Sequence, residues 1–112
     1  MSDSRITYHE LALEDAKQWM DAMKPGEFTL LDVRTQKEYE SGYMKGAILI
    51  PDYELATKMN DRLPHKEKPI FVYSRSGIRS KKAAKLLADA GYRKVYELGG
   101  IINWNYALLS YP

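Results

Sequence analysis

Residues 73–80, with the sequence Y-S-R-S-G-I-R-S, combine residue types whose spacing could do chemistry. Gly77 permits backbone conformations in which successive N–H groups converge on one point, and such a nest binds anions. Arg75 and Arg79 can add charge-assisted hydrogen bonds that suit an oxyanion. Ser74 stands at the first loop position, where a nucleophile would lie. The stretch therefore predicts an anion-binding loop with Ser74 as its candidate reactive residue.

The chemistry open to Ser74 is limited by its hydroxyl group. The positive end of a following helix would lower the pKa of a cysteine at this position from its reference value of about 8.5 and give a thiolate. A serine hydroxyl is a far weaker acid and needs a neighbouring base. No base lies near Ser74 in sequence, although His65 or Asp32 could approach it in space. An ordinary serine at a strand end is the preferred interpretation, and a serine hydrolase ranks last among the functions considered.

Short apolar segments alternate with helix-like segments along the chain. Strands are predicted at residues 6–8, 29–33, 47–50, 69–73 and 94–98, and helices at residues 12–23, 35–39, 55–59, 80–90 and 101–108. Thr35 and Glu38 have the spacing of a helix capping box. Trp19 and Trp104 lie on apolar periodic faces and are predicted to be core. This order predicts an α/β domain with a mainly parallel sheet covered on both faces, and the loop after residue 73 lies at the carboxyl edge where such sheets bind ligands.

Length and composition restrict the class of protein. The 112 residues predict one domain over residues 1–112, and 17 basic against 15 acidic residues give no strong attraction to nucleic acid or to an anionic membrane. The chain contains no cysteine, which excludes disulfides and thiolate metal sites, and we expect neither a metal nor another cofactor. No run approaches the length of a membrane span, and the first residues lack the apolar core of a signal peptide, so a cytoplasmic protein is expected.

The chain resembles the rhodanese-like (sulfurtransferase) domain family over nearly the whole length of the chain. Three segments, in order along the sequence, carry this resemblance. The first is L-D-V-R-T-Q-K-E-Y-E-S-G-Y-M-K-G-A-I-L-I-P at residues 31–51, the second is S-R-S-G-I-R-S at residues 74–80, and the third is G-Y-R-K-V-Y-E-L-G-G-I-I-N-W at residues 91–104. The family fold implied by this resemblance is a five-stranded, mainly parallel sheet flanked by helices on both faces.

The resemblance also implies an activity and a set of site residues. In the family, the first loop residue is a cysteine that carries a persulfide from a donor such as thiosulfate to a thiol acceptor, and this cysteine maps to Ser74. The implied partners are a small sulfur-containing anion and a thiol acceptor that could be a protein, without nucleic acid or membrane. The implied anion-binding residues are Arg75, Ser76, Gly77, Ile78 and Arg79, with Asp32 and Arg34 as supporting residues and Gly99, Gly100 and Trp104 in the closing segment.

Two positions depart from the family pattern. Tyr43 stands where the family usually has histidine, and Ser74 lacks the sulfur that becomes the persulfide. The chain is therefore expected to be inactive in sulfur transfer. Two interpretations stay open: a sulfurtransferase whose cysteine was changed to serine by engineering, or a naturally cysteine-free module that binds an anion or a protein. Four residues separate Ser74 from Arg79, one fewer than in cysteine phosphatases, which favours a sulfur-centred ligand.

Overall fold

Five strands alternate with four helices in the part of the chain that the structure, a computed structural model, describes, namely residues 8–104 and Leu108. The strands are β1 (His9–Glu10), β2 (Thr29–Asp32), β3 (Ile48–Leu49), β4 (Ile70–Ser74) and β5 (Val95–Gly100). The helices are α1 (Leu13–Ala22), α2 (Gln36–Glu40), α3 (Asp52–Arg62) and α4 (Ile78–Asp89), followed by a 3-10 turn at Ile101–Asn103. Within these residues no helix is long and apolar enough to cross a membrane.

The five strands form one parallel sheet in the order β1-β5-β4-β2-β3. Strand β4 lies at the centre and is buried along its whole length, as expected for a strand covered on both faces. The outermost strands, β1 and β3, have two residues each. This arrangement confirms the predicted α/β fold with a parallel sheet, and all five carboxyl ends point to one edge.

Alternate side chains of the strands supply two cores on opposite faces of the sheet. On one face Ile70 and Val72 of β4 pack with Leu55 of α3 and Leu87 of α4. The other face holds apolar side chains of α1 and of the strands, including Leu13, Ala16, Leu30, Phe71 and Tyr73. Helices α1, α3 and α4 therefore pack on the sheet by narrow apolar stripes, whereas α2 has no buried residue.

The capping box of α2 is confirmed. The Thr35 hydroxyl accepts the Glu38 backbone N–H, and the Glu38 carboxylate accepts the Thr35 backbone N–H.

Three predicted elements differ from the structure. The first strand is His9–Glu10 rather than residues 6–8, of which 6 and 7 lie outside the described residues. Helix α3 is longer than residues 55–59 and begins directly after Pro51, and the final predicted helix is only a 3-10 turn, with residues 105–107 outside the described part.

The prediction that Trp19 belongs to the core is wrong. Trp19 is 44% exposed, and its ring contacts those of Phe71 and Tyr96 in edge-to-face geometry. The buried stripe of α1 runs through Leu13 and Ala16, and Trp19 lies to one side of that stripe. Trp104 is half-buried and packs against the same core.

Candidate functional site

The loop between β4 and α4 is short and lies against the glycine pair of β5. Gly77 immediately precedes α4 with φ of 100°, in the left-handed region that favours glycine. A Cβ atom added to Gly100 would lie 2.2 Å from the carbonyl oxygen of Arg75, so only glycine fits there. The backbone N–H of Ile102 also donates to that carbonyl at 3.2 Å. The loop backbone is thus held by Gly100 of β5 and by the 3-10 turn that follows it.

The hydroxyl oxygen of Ser74 lies at the point where two loop amides converge. It accepts the backbone N–H groups of Gly77 and Ser80, each at 3.1 Å, and its own proton is donated to Ser80 Oγ at 3.1 Å. Ser74 is fully buried. Because Ser80 is the third residue of α4, its N–H lacks an intrahelical acceptor, and Ser74 Oγ supplies one in the manner of a helix cap.

A buried carboxylate continues this chain of hydrogen bonds. Ser80 Oγ lies 2.5 Å from Glu97 Oε2, and the side chain of Glu97 is only 1% exposed. Glu97 also accepts the Gly99 backbone N–H at 2.8 Å and lies 3.1 Å from Lys81 Nζ. The carboxylate raises the pKa of Lys81 through this hydrogen bond. Ser74 is therefore connected through Ser80 to Glu97, and from there to a half-exposed ammonium group.

Neither of the bases considered from the sequence serves Ser74. Asp32 binds other partners, and His65 is exposed in the turn that precedes β4, at the opposite end of that strand. Glu97 was missed because, although it lies within the third segment of the resemblance, it was assigned no role there. The signal that could have found it is a charged residue between apolar residues of a strand, immediately before the glycine pair.

Arg79 forms a fork-to-fork ion pair with Glu38 of α2. Its two terminal nitrogens lie 2.6 and 2.9 Å from the two carboxylate oxygens, with both side chains little more than a quarter exposed. The hydrogen bonds from Arg79 lower the pKa of Glu38 to about 2, and the same pair raises the pKa of Arg79. Arg79 thus connects the loop to α2. Arg75 is exposed and forms no ion pair within the described residues.

Asp32 and Arg34 form a second buried network beside the loop. Arg34 donates to both oxygens of Asp32, with the shortest distance 2.7 Å, and to the Gly42 carbonyl at 2.6 Å. The Tyr73 hydroxyl donates to Asp32 at 2.7 Å and accepts the Met44 N–H. Burial, followed by the charge of Asp32, raises the pKa of Tyr73. The network fixes the carboxyl ends of β2 and β4 relative to each other.

The remaining predicted residues lie at the rim. Ser76 and Ile78 are exposed, with 66% of Ile78 accessible. Tyr43, at the position where histidine was expected, is half-buried and stacks on Tyr39 with ring centroids 4.3 Å apart. The structure therefore gathers all the loop residues at one edge but leaves Tyr43 packed against α2.

Two cavities lie near the sheet. A cleft of about 270 Å³ is lined by Glu10, Lys81, Glu97 and Gly99, next to the carboxylate described above. A wider cavity of about 860 Å³ lies at the amino ends of β2 and β3, with Met20, Phe28, Met44 and Trp104 in its wall. The wider cavity is remote from the loop, so we do not assign it to the anion-binding site despite its larger volume.

Comparisons with known proteins agree with this architecture. A family model described as "Rhodanese-like domain" matches residues 13–107. A tRNA uridine(34) hydroxylase of Acinetobacter baylyi is 35% identical over 99 residues, which cover 80% of this chain and 30% of the hydroxylase. The chain thus spans about 30% of the length of the curated tRNA uridine(34) hydroxylases from Acinetobacter that it matches.

Solved structures give the same likeness. A rhodanese with anions from E. coli is 28% identical with a TM-score of 0.68, over 73% of this chain and 96% of that one. Thiosulfate sulfurtransferase from Pseudomonas aeruginosa is 27% identical with a TM-score of 0.79, over 92% of this chain and 20% of that one.

Proposed function

The chain belongs to the rhodanese-like domain family, and on that basis we propose that it is a binding domain that recognises an anionic group without transferring sulfur. The observation that carries the proposal is the buried Ser74 oxygen, which occupies the convergence point of the loop amides. A persulfide needs a sulfur atom at this point, and the chain contains no cysteine. A hydroxyl that accepts two hydrogen bonds and lies in the interior is also a poor nucleophile.

The loop keeps the features that attract an anion at its mouth. The first N–H groups of α4, those of Ile78 and Arg79, have no intrahelical acceptor, and the twelve-residue helix directs its positive end toward them. The first turn of α4 contains no acidic residue. Arg75 adds an exposed guanidinium group. Because the Ser74 oxygen already takes the inner amides, the anion is expected at the outer ones.

An apolar rim around the loop supports a protein as the carrier of the anionic group. Among the described residues, three large apolar side chains are more than 60% exposed: Tyr53 at 69%, Ile78 at 66% and Ile102 at 61%. They follow the carboxyl ends of β3, β4 and β5, so all three lie on the edge that holds the loop. Exposed apolar groups around a charged centre are typical of a protein-binding surface.

The names of the relatives do not support a specific enzymatic activity for this chain. Because the chain spans about 30% of the tRNA uridine(34) hydroxylases, hydroxylation is not proposed for it. Likewise, thiosulfate sulfurtransferase activity is not proposed, although a thiosulfate-like anion remains the ligand class that the family resemblance favours.

Two assays test the proposed function. Thiosulfate-to-cyanide sulfur transfer should be absent for the unmodified chain, and measurable turnover would refute the proposal. Sulfate or thiosulfate should raise the melting temperature, since a ligand at ten times its Kd adds about 1.4 kcal/mol to stability. Arg75→Ala should abolish the increase. Arg93→Ala is the matched control, because Arg93 is an exposed arginine that precedes β5 and pairs with Glu67. Equal responses of both variants would contradict the site.

The apolar rim has its own test. Benzenesulfonate should bind more tightly than methanesulfonate in isothermal titration calorimetry, because its ring can contact the rim. Ile78→Ser should remove most of this difference without abolishing methanesulfonate binding. A difference that is unchanged in Ile78→Ser would remove the support for an apolar partner.

A further inference from the structure

The buried carboxylate of Glu97 was assigned no role by the family resemblance, although it is connected to the reactive position of the loop. We propose that Glu97 is a positioning residue that, through Ser80, makes position 74 a site for a hydrogen-bond donor, so that the loop is matched to a hydroxyl and opposes a thiolate. The inference rests on the proposed function, because it gives the physical reason why cysteine alone at position 74 would not restore efficient sulfur transfer.

The direction of the hydrogen bonds follows from the single proton of the Ser80 hydroxyl. Three acceptors surround Ser80 Oγ: Glu97 Oε2 at 2.5 Å, the Gly77 carbonyl at 3.1 Å and the Gly99 carbonyl at 3.4 Å. The carboxylate is the nearest of the three and accepts the stronger, charge-assisted hydrogen bond. The Ser80 proton is therefore directed to Glu97.

Ser80 Oγ then presents only its lone pairs to position 74. Ser74 matches this requirement because its hydroxyl donates to Ser80 while accepting the N–H groups of Gly77 and Ser80. The hydroxyl groups of Ser74 and Ser80 and the Glu97 carboxylate all have partners, and no buried side-chain polar atom of the described residues lacks one. The hydrogen bonds thus run in one direction, with Ser74 donating to Ser80 and Ser80 donating to Glu97.

A thiolate in place of the hydroxyl would meet two opposing influences. The two loop amides would stabilise it, as at other helix N-termini. The lone pairs of Ser80 and the nearby negative charge of Glu97 would destabilise it, and burial weakens the screening between these charges.

The charged groups around this pair are few. Lys81 of α4 lies 3.1 Å from Glu97 and 3.6 Å from Glu10 of β1, so its charge is shared between two carboxylates. On the loop side, Arg79 is paired with Glu38, and Arg75 is exposed. Among residues 8–104, neither side provides an unshared buried cation that would offset a thiolate at position 74.

The test titrates the thiol of Ser74→Cys by its ultraviolet absorbance and by its rate of alkylation with iodoacetamide. The single variant should keep a pKa near or above the free-thiol value of about 8.5. Adding Glu97→Gln should lower that pKa by about one unit or more, because it removes the buried negative charge beside Ser80 and weakens the charge-assisted hydrogen bond that holds the Ser80 proton. Alkylation at neutral pH should then be about tenfold faster.

Glu10→Gln in the same Ser74→Cys background is the matched control. It removes a carboxylate that also contacts Lys81 but makes no hydrogen bond to Ser80, so the thiol pKa should not fall. Ser80→Ala in that background should reduce the effect of Glu97→Gln on the thiol pKa, because only the direct effect of the Glu97 charge remains once the connecting hydroxyl is gone. The first measure of each variant is its circular dichroism spectrum, which should match that of the parent chain.

Two outcomes would overturn the inference. One is a thiol pKa well below 8.5 in Ser74→Cys alone, and the other is the same pKa with and without Glu97→Gln. These results do not depend on the anion-binding assay, and sulfur transfer by the unmodified chain would refute the proposed function without altering the titration. When the inference holds, sulfur transfer should be faster in Ser74→Cys/Glu97→Gln than in Ser74→Cys.

Discussion

Replacement of Ser74 by alanine would remove a fully buried oxygen that takes part in three hydrogen bonds. The N–H groups of Gly77 and Ser80 would lose their acceptor, and Ser80 Oγ would lose a donor. A buried polar group left without a partner costs about 1–3 kcal/mol, and the loss of a serine cap costs about 0.5–2 kcal/mol. Because these two costs describe partly the same contacts and do not simply add, we expect a total loss of about 2–3 kcal/mol.

Urea unfolding followed by circular dichroism measures this loss. With a slope of about 2 kcal/mol per molar urea, the midpoint should fall by about 1 M or slightly more. Ser41→Ala is the matched control, because the Ser41 hydroxyl makes one exposed hydrogen bond to the Glu38 carbonyl at 2.7 Å. Its stability should change by no more than about 0.5 kcal/mol. Equal midpoints for the two variants would refute the assignment of Ser74 as the internal acceptor of the loop.

Other substitutions test the ion pairs and the glycine contact that surround the loop. Because Arg79 lowers the pKa of Glu38 from 4.5 to about 2, this carboxylate stabilises the fold above pH 4.5 and loses its contribution as the pH falls toward 2. Glu38→Gln should make the melting temperature less dependent on pH in this range. The free energy of unfolding above pH 4.5 should fall by about 1–2 kcal/mol after solvent screening, and an unchanged slope would contradict the importance of the pair. Arg34→Met should cost about 3–5 kcal/mol in urea unfolding by leaving Asp32 buried and unpaired, with partial recovery on adding Asp32→Asn. Gly100→Ala should cost about 1–3 kcal/mol and weaken sulfate binding, because its Cβ would lie 2.2 Å from a loop carbonyl; a parent-like melting curve would contradict this contact.

Local patterns in the sequence were sufficient for the parallel sheet and for the position of the loop. The apolar run that became β4, the glycine at position 77 and the helix that follows lie within one continuous stretch. The capping box of α2 was equally predictable, since Thr35 and Glu38 are three positions apart. In each case the signal lies in residues close in sequence, although β4 itself is stabilised by its pairing with the distant strands β2 and β5.

The partners of the loop side chains could not be predicted in this way. Glu38 is 41 positions from Arg79, and Glu97 is 17 positions from Ser80. Their pairing depends on the strand order and on the register between β4 and β5, which shifts between Val72 and Ser74. Helix α3 was underestimated because its apolar nucleus near Leu55 is flanked by exposed polar residues that carry no periodic signal.

The two-residue length of the outer strands has a consequence for the order in which the molecule opens. Strands β1 and β3 are held by few backbone hydrogen bonds, whereas β4, α4 and β5 form one continuous βαβ unit at residues 70–100. Local opening is expected where buried contacts are fewest, so amide hydrogens of the outer strands should exchange with solvent first. The loop belongs to the unit that opens last, and its geometry should therefore persist in partly open states of the molecule.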